Sequence, residues 1–158
     1  MYDIVMDIKE QNTPVLPDLK TKMASLYAYL ARRLGIQLVP RLVFTNSLEN
    51  ANNPFGLTGH YDHDTNTIKL YITNRHDTDV LRSFAHEIIH HWQNLRGVLH
   101  PKGHENHDVI PHYAQDDPWL RKREMEAYLF GNILFRDWQD ENRMGPPQVQ
   151  PFLPRPYD

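Results

Sequence analysis

Thr78-Asp79-Val80-Leu81-Arg82-Ser83-Phe84-Ala85-His86-Glu87-Ile88-Ile89-His90-His91-Trp92-Gln93-Asn94-Leu95 is the stretch that decides how this chain folds. Leu81, Phe84, Ala85, Ile88, Trp92 and Leu95 recur at helical intervals, which lays one apolar stripe along an α-helix, and Gly97 offers a stop. The spacing predicts a helix from about residue 78 to 95. Inside it stands His86-Glu87-Ile88-Ile89-His90, a His-Glu-x-x-His pattern. Residues four apart on a helix lie nearly above one another, so the two imidazoles can converge on one ion while Phe84, Ile88 and Trp92 face the core. Glu87 can then reach an attacking water without becoming a ligand, as a general base must. Two histidines and a glutamate that merely share a polar helix face would give the same five letters, so the surroundings have to decide.

Upstream, Leu19, Met23, Leu26, Tyr27, Leu30 and Leu34 repeat at helical spacing between Pro17-Asp18 and Gly35, which predicts an amphipathic helix over residues 18–34. Residues 37–45 are rich in Leu, Val and Phe and suit a buried strand, with Pro40 implying an edge position or an irregular start. Residues 46–54 have the composition of a loop. Between residues 57 and 73 two short strand patterns flank the polar Asp62-His63-Asp64-Thr65-Asn66, and Ile68, Leu70 and Ile72 alternate with Lys69 and Tyr71, as in a hairpin. Downstream, residues 96–118 hold His100, His104, His107 and His112 without sustained period, the mark of a functional or mobile loop. Helical spacing returns over residues 119–138 through Leu120, Ala127, Tyr128, Leu134, Phe135 and Trp138. The expected class is α+β, with a small, mostly antiparallel sheet, one domain over residues 1–144 and a proline-rich tail over residues 145–158.

Composition narrows the chemistry. At 158 residues and 40% hydrophobic, the chain suits a single domain with its own core. A formal charge of −3 and the lack of a long basic run argue against nucleic acid as a partner. No stretch could span a membrane, and Met1-Tyr2-Asp3-Ile4-Val5-Met6-Asp7 lacks the pattern of a secretory signal, so an intracellular, cytoplasmic place is expected. Without cysteine, the strong metal ligands left are His, Asp and Glu, and the ten histidines cluster in the middle of the chain.

A catalytic zinc generally takes three protein ligands and keeps one position open. The extended pattern with Gly three and His six residues after His90 is excluded, because Gln93 and Arg96 stand there. Arg123-Glu124-Met125-Glu126-Ala127-Tyr128, on the last helix, resembles the corresponding segment of gluzincins, the zincin metallopeptidases whose third ligand is a downstream Glu. The resemblance spans about residues 56–135 and is specific at its two zinc-binding segments. It gives Glu124 the ligand place, Ala127 the role of the small residue that lets two helices approach, and puts Tyr128 where many members have Asp. Glu126 points to the opposite side of the helix from Glu124, so only one of them can face the metal. More weakly, the chain resembles SprT-like metalloproteases, in which a histidine in a Gly-His context completes the site; Gly103-His104 stands at a comparable distance.

The gluzincin resemblance implies a zincin-like fold, a Zn2+ cofactor held by His86, His90 and Glu124, and metalloendopeptidase hydrolysis of a peptide or protein substrate with Glu87 as general base. It also implies an edge strand beside the active-site helix, with Gly56-Leu57-Thr58-Gly59-His60-Tyr61 as the candidate. His60 and His63 read as turn or surface residues, and His100, His107 and His112 as polar loop residues, although one of these or Tyr113 could serve as an oxyanion donor. The rival class is a non-catalytic zinc-binding regulatory protein whose tail, residues 148–158, lies across the cleft.

Overall fold

The computed structural model describes residues 8–11, 17–54, 56–99 and 117–143. Its elements run in the order β1 (Ile8–Gln11), α1 (Pro17–Leu34), β2 (Arg41–Thr45), α2 (Leu48–Asn52), β3 (Gly59–Asp62), β4 (Thr67–Tyr71), α3 (Asp77–Leu95) and α4 (Pro118–Glu141). The class is α+β, as expected, and among the described residues no helix is long and apolar enough to cross a membrane.

The strands lie in the order β1-β2-β4-β3, with β1 parallel to β2, β2 parallel to β4, and only the β3–β4 pair antiparallel. The sheet is therefore mixed, which corrects the expectation of a mostly antiparallel one. Two causes act. The helix α1 carries the chain back between β1 and β2, so both run the same way. The β3–β4 hairpin, anticipated from its alternation, then docks through β4, whose Ile68 and Leu70 are fully buried and gain from neighbours on both edges. Arg41 opens β2, so Pro40 marks an irregular start, and β2 is paired on both sides. Ile8-Lys9-Glu10-Gln11 has no apolar alternation of its own and owes its strand form to pairing with β2. A short helix also replaces the loop expected over residues 46–54, capped by Ser47, whose Oγ accepts from the Asn50 amide at 3.1 Å.

Cross-strand register sorts the side chains into two rows on the covered face, Leu42–Ile68–Tyr61 and Phe44–Leu70–Gly59. One buried cluster joins these rows to Met23, Leu26, Tyr27 and Leu30 of α1 and to Leu81, Phe84, Ala85, Ile88 and Ile89 of α3. Tyr27 meets Phe84 edge-on, with ring centroids 6.3 Å apart. α3 ends where expected: Gly97, at φ +71°, lets the Val98 amide return to the Gln93 carbonyl at 3.0 Å and its own amide to that of Asn94 at 2.9 Å. Leu95 falls outside the core at 40% exposure, and Trp92 is only partly buried.

α4 is capped by Asp117, whose carboxylate accepts from the amides of Trp119 and Leu120, with Pro118 at the first helical position. It buries Leu120, Ala127, Gly131, Leu134, Phe135 and Trp138, and the Trp138 indole donates to Ser25 Oγ of α1 at 3.1 Å. Tyr128, expected on this face, is 62% exposed. Small residues set the gap between α4 and α3. A methyl group at Gly131 would lie 3.2 Å from the His86 Cα and 3.3 Å from its nitrogen, atoms that cannot move without bending α3. Gly131→Val should therefore destabilise the fold by about 1–3 kcal/mol through overpacking. Thermal melts against the exposed control Asn132→Ala, expected within about 0.5 kcal/mol of the parent, check this.

Candidate metal centre

Three side chains converge between α3 and α4. His86 and His90 stand one turn apart on α3, their ring centroids 4.8 Å from each other and nearly perpendicular, and Glu124 reaches them from the second turn of α4. The His86 Nε2 lies 3.1 Å from Glu124 Oε2, and the His90 Nε2 lies 2.9 Å from Glu124 Oε1. One donor atom from each residue falls within 4.8 Å of the others, so His86, His90 and Glu124 form a group that could hold a metal ion. Both imidazoles present the nitrogen farther from the backbone, as the four-residue spacing allows without distortion.

A second layer fixes His90. Gln93, fully buried and one turn on, donates from its Nε2 to the Arg123 carbonyl at 3.0 Å and to Glu126 Oε1 at 2.9 Å. Its Oε1 is thereby turned toward His90 and accepts from Nδ1–H at 2.8 Å. That bond settles the tautomer, leaving the Nε2 lone pair for a metal. Glu126 is consequently neither a ligand nor a solvated bystander: it anchors the side chain that orients His90. His86 is held differently, by the Tyr128 ring, with centroids 4.5 Å apart and planes tilted 57°. An aromatic face thus stands where the resemblance would put a carboxylate.

Glu87 is buried between the sheet edge and α3. The missing side chain of Gly59 makes room for it, since a methyl group there would lie 3.1 Å from Glu87 Oε1 and 3.2 Å from its Cγ. Burial pushes the Glu87 carboxyl above the ordinary carboxylate range; the imidazoles of His90 and His86 oppose this and Glu124 adds to it. The same four groups shape the ligands. Although burial alone would lower it, hydrogen bonding and attraction to Glu124 raise His90 from 6.5 to about 9. The Glu124 carboxyl is held far below its usual range: burial works the other way but is outweighed by hydrogen bonds to His86 and His90.

Other sequence candidates lie elsewhere. His60 is half-buried in β3 and burial lowers its pKa; His90 is among the charges acting on it, yet it is not one of the three donors. His63 sits in the hairpin turn, 3.1 Å from Asp64 Oδ1. His100, His104, His107, His112, Tyr113 and the tail fall outside the described residues. One buried residue escaped the sequence reading: His91, fully buried, bonds through Nδ1 to the Tyr61 hydroxyl at 2.8 Å and through Nε2 to the Leu38 carbonyl at 2.7 Å. Its signal was periodicity, because His91 follows Phe84 by seven residues and Ile88 by three on the core face.

Compared with known proteins, the chain matches no protein-family model, no curated protein and no solved structure.

Two outcomes test it. Glu124→Ala should abolish stoichiometric metal uptake, whereas Glu126→Ala should keep it, measured by elemental analysis of the purified proteins. The second concerns pH. With a folded value near 9 against 6.5, the His90–Glu124 pair stabilises the metal-free chain fully below 6.5 and stops doing so as pH rises through 9. Metal must displace that proton, so the apparent affinity should rise roughly tenfold per unit as pH increases toward 9, with about one proton released per ion. Calorimetric titrations in buffers of different ionisation enthalpy count the protons.

Proposed function

We propose that this chain is a zinc-dependent metallopeptidase of the gluzincin-like kind, acting on a peptide or protein substrate. The observation that carries the reading is the convergence of His86, His90 and Glu124, with a fourth residue, the non-ligand Glu87, buried on the helix of the two histidines within electrostatic reach of all three. Two imidazoles and one carboxylate, with no thiolate in the chain, make a donor set suited to a catalytic zinc. The rival third ligand, His104, is disfavoured because Glu124 already occupies that place beside both imidazoles. When bound there, zinc would supply a Lewis acid and lower the pKa of water to about 7.

The chain's own residues then do the rest. Gln93 holds His90 in one tautomer, and Glu124 completes the donor set. Glu87, raised above the ordinary carboxylate range by burial, accepts the proton of the attacking water and passes it to the leaving amine. A non-catalytic zinc protein would gain nothing from a carboxylate buried at this point.

Substrate binding follows from the sheet edge. The Tyr71 amide donates to the Thr58 carbonyl at 3.2 Å, which makes Thr58 and Tyr71 a hydrogen-bonded pair. Antiparallel pairing alternates, so His60 and Asp62 also bond to β4, while Gly59 and Tyr61 turn their main-chain groups toward the outer edge, which no strand among the described residues pairs. An extended peptide would add there, alongside Glu87.

Glu87→Gln should retain zinc at the parent's stoichiometry while turnover of a fluorogenic peptide library falls by about two to four orders of magnitude. A variant that cleaves as fast as the parent would rule out this mechanism.

A further inference from the structure

The segment between β4 and α3 carries one arginine whose guanidinium reaches three different elements. Arg75 Nη1 donates to the Thr58 carbonyl at 3.1 Å and to the Tyr71 carbonyl at 2.8 Å; Nη2 donates to the Asp79 carbonyl at 3.0 Å and to Ser83 Oγ at 2.7 Å. Thr58 immediately precedes the edge strand, Tyr71 ends β4, and Asp79 and Ser83 lie in the first two turns of α3. Asp79, Ser83 and Glu87 follow one another at four-residue steps, so they share one face of the helix. The next residue of the edge, Gly59, packs directly on Glu87.

We propose that Arg75 is a positioning residue for the hydrolysis described above: it fixes the edge strand, and with it the bound peptide, at a set distance from Glu87. The proposal rests on the peptidase reading. Its physical basis is the planar fork of the guanidinium, which can satisfy acceptors in several directions at once, whereas an ammonium offers its protons from a single atom. Burial disfavours the Arg75 charge, and the Asp79 carboxylate offsets part of that cost. A half-buried cation with four acceptors on three segments does more here than decorate a surface. Because catalysis is sensitive to placement at the level of about 1 Å, loosening this link should cost rate without touching the metal donors.

Arg75→Lys tests this in the full-length, zinc-loaded protein, read in three ways. Zinc stoichiometry should match the parent. Amide exchange at His60, whose hydrogen bond closes the β3–β4 ladder, should accelerate about tenfold, with the Ile88 amide of α3 unchanged. Against a peptide substrate, kcat should fall about tenfold while KM stays within about twofold, since the edge groups of Gly59 and Tyr61 remain available. Ser83→Ala, which removes one acceptor and favours the helix, should show the same pattern more weakly even if Arg75→Lys fails to fold. Unchanged exchange at His60 in the variants overturns the proposal, as does faster exchange with an unaltered kcat. Failure of the peptidase reading itself shows separately, in a parent that binds zinc and cleaves no peptide, and the His60 exchange rate then still decides whether Arg75 holds the edge.

Discussion

The closeness of α3 and α4 is the constraint on which the centre depends. Glu124 can meet two imidazoles from a helix more than thirty residues downstream because Gly131 lets the backbone of α4 come close to that of α3 at Ala85 and His86. Larger side chains would hold the helices apart, and a carboxylate that must lie about 3 Å from two nitrogens tolerates little of that. The same approach brings Gln93 under the Arg123 carbonyl, so the group that orients His90 is itself held by the helix that supplies the third donor.

α3 carries three loads on three faces. Phe84, Ala85 and Ile88 fill the core; His86, His90 and Gln93 turn toward α4; Glu87, with Ser83 and His91 one turn to either side, turns toward the sheet edge. Along that last face the edge segment is tied at successive turns. Arg75 links Thr58 to Asp79 and Ser83, Gly59 packs on Glu87, the Tyr61 hydroxyl meets His91, and Asn94 donates to the Tyr61 hydroxyl and the His63 carbonyl. A strand rises about 3.3 Å and a helix about 1.5 Å per residue, so about two strand residues cover the climb of one helical turn. Apart from the exposed Arg75–Thr58 bond, these polar ties are buried or half-buried, which suits rigid placement of an edge.

Local pattern alone determined a good deal. The periodicity of residues 78–95 fixed α3, the His-Glu-x-x-His spacing fixed two donors and a neighbouring carboxylate on it, and the alternation around Ile68 and Leu70 fixed the hairpin. These are readable because each depends on residues within a few positions of one another. What stayed hidden depends on partners distant in the chain. The parallel placement of β1 and β4 on either side of β2, the exposure of Tyr128, the burial of His91 and the choice between Glu124 and Glu126 all wait on which surfaces meet. Spacing left Glu124 and Glu126 as rivals for one place, and only the packing of α4 on α3, close at Gly131, decides that Glu124 meets the imidazoles while Glu126 also reaches α3 and holds Gln93.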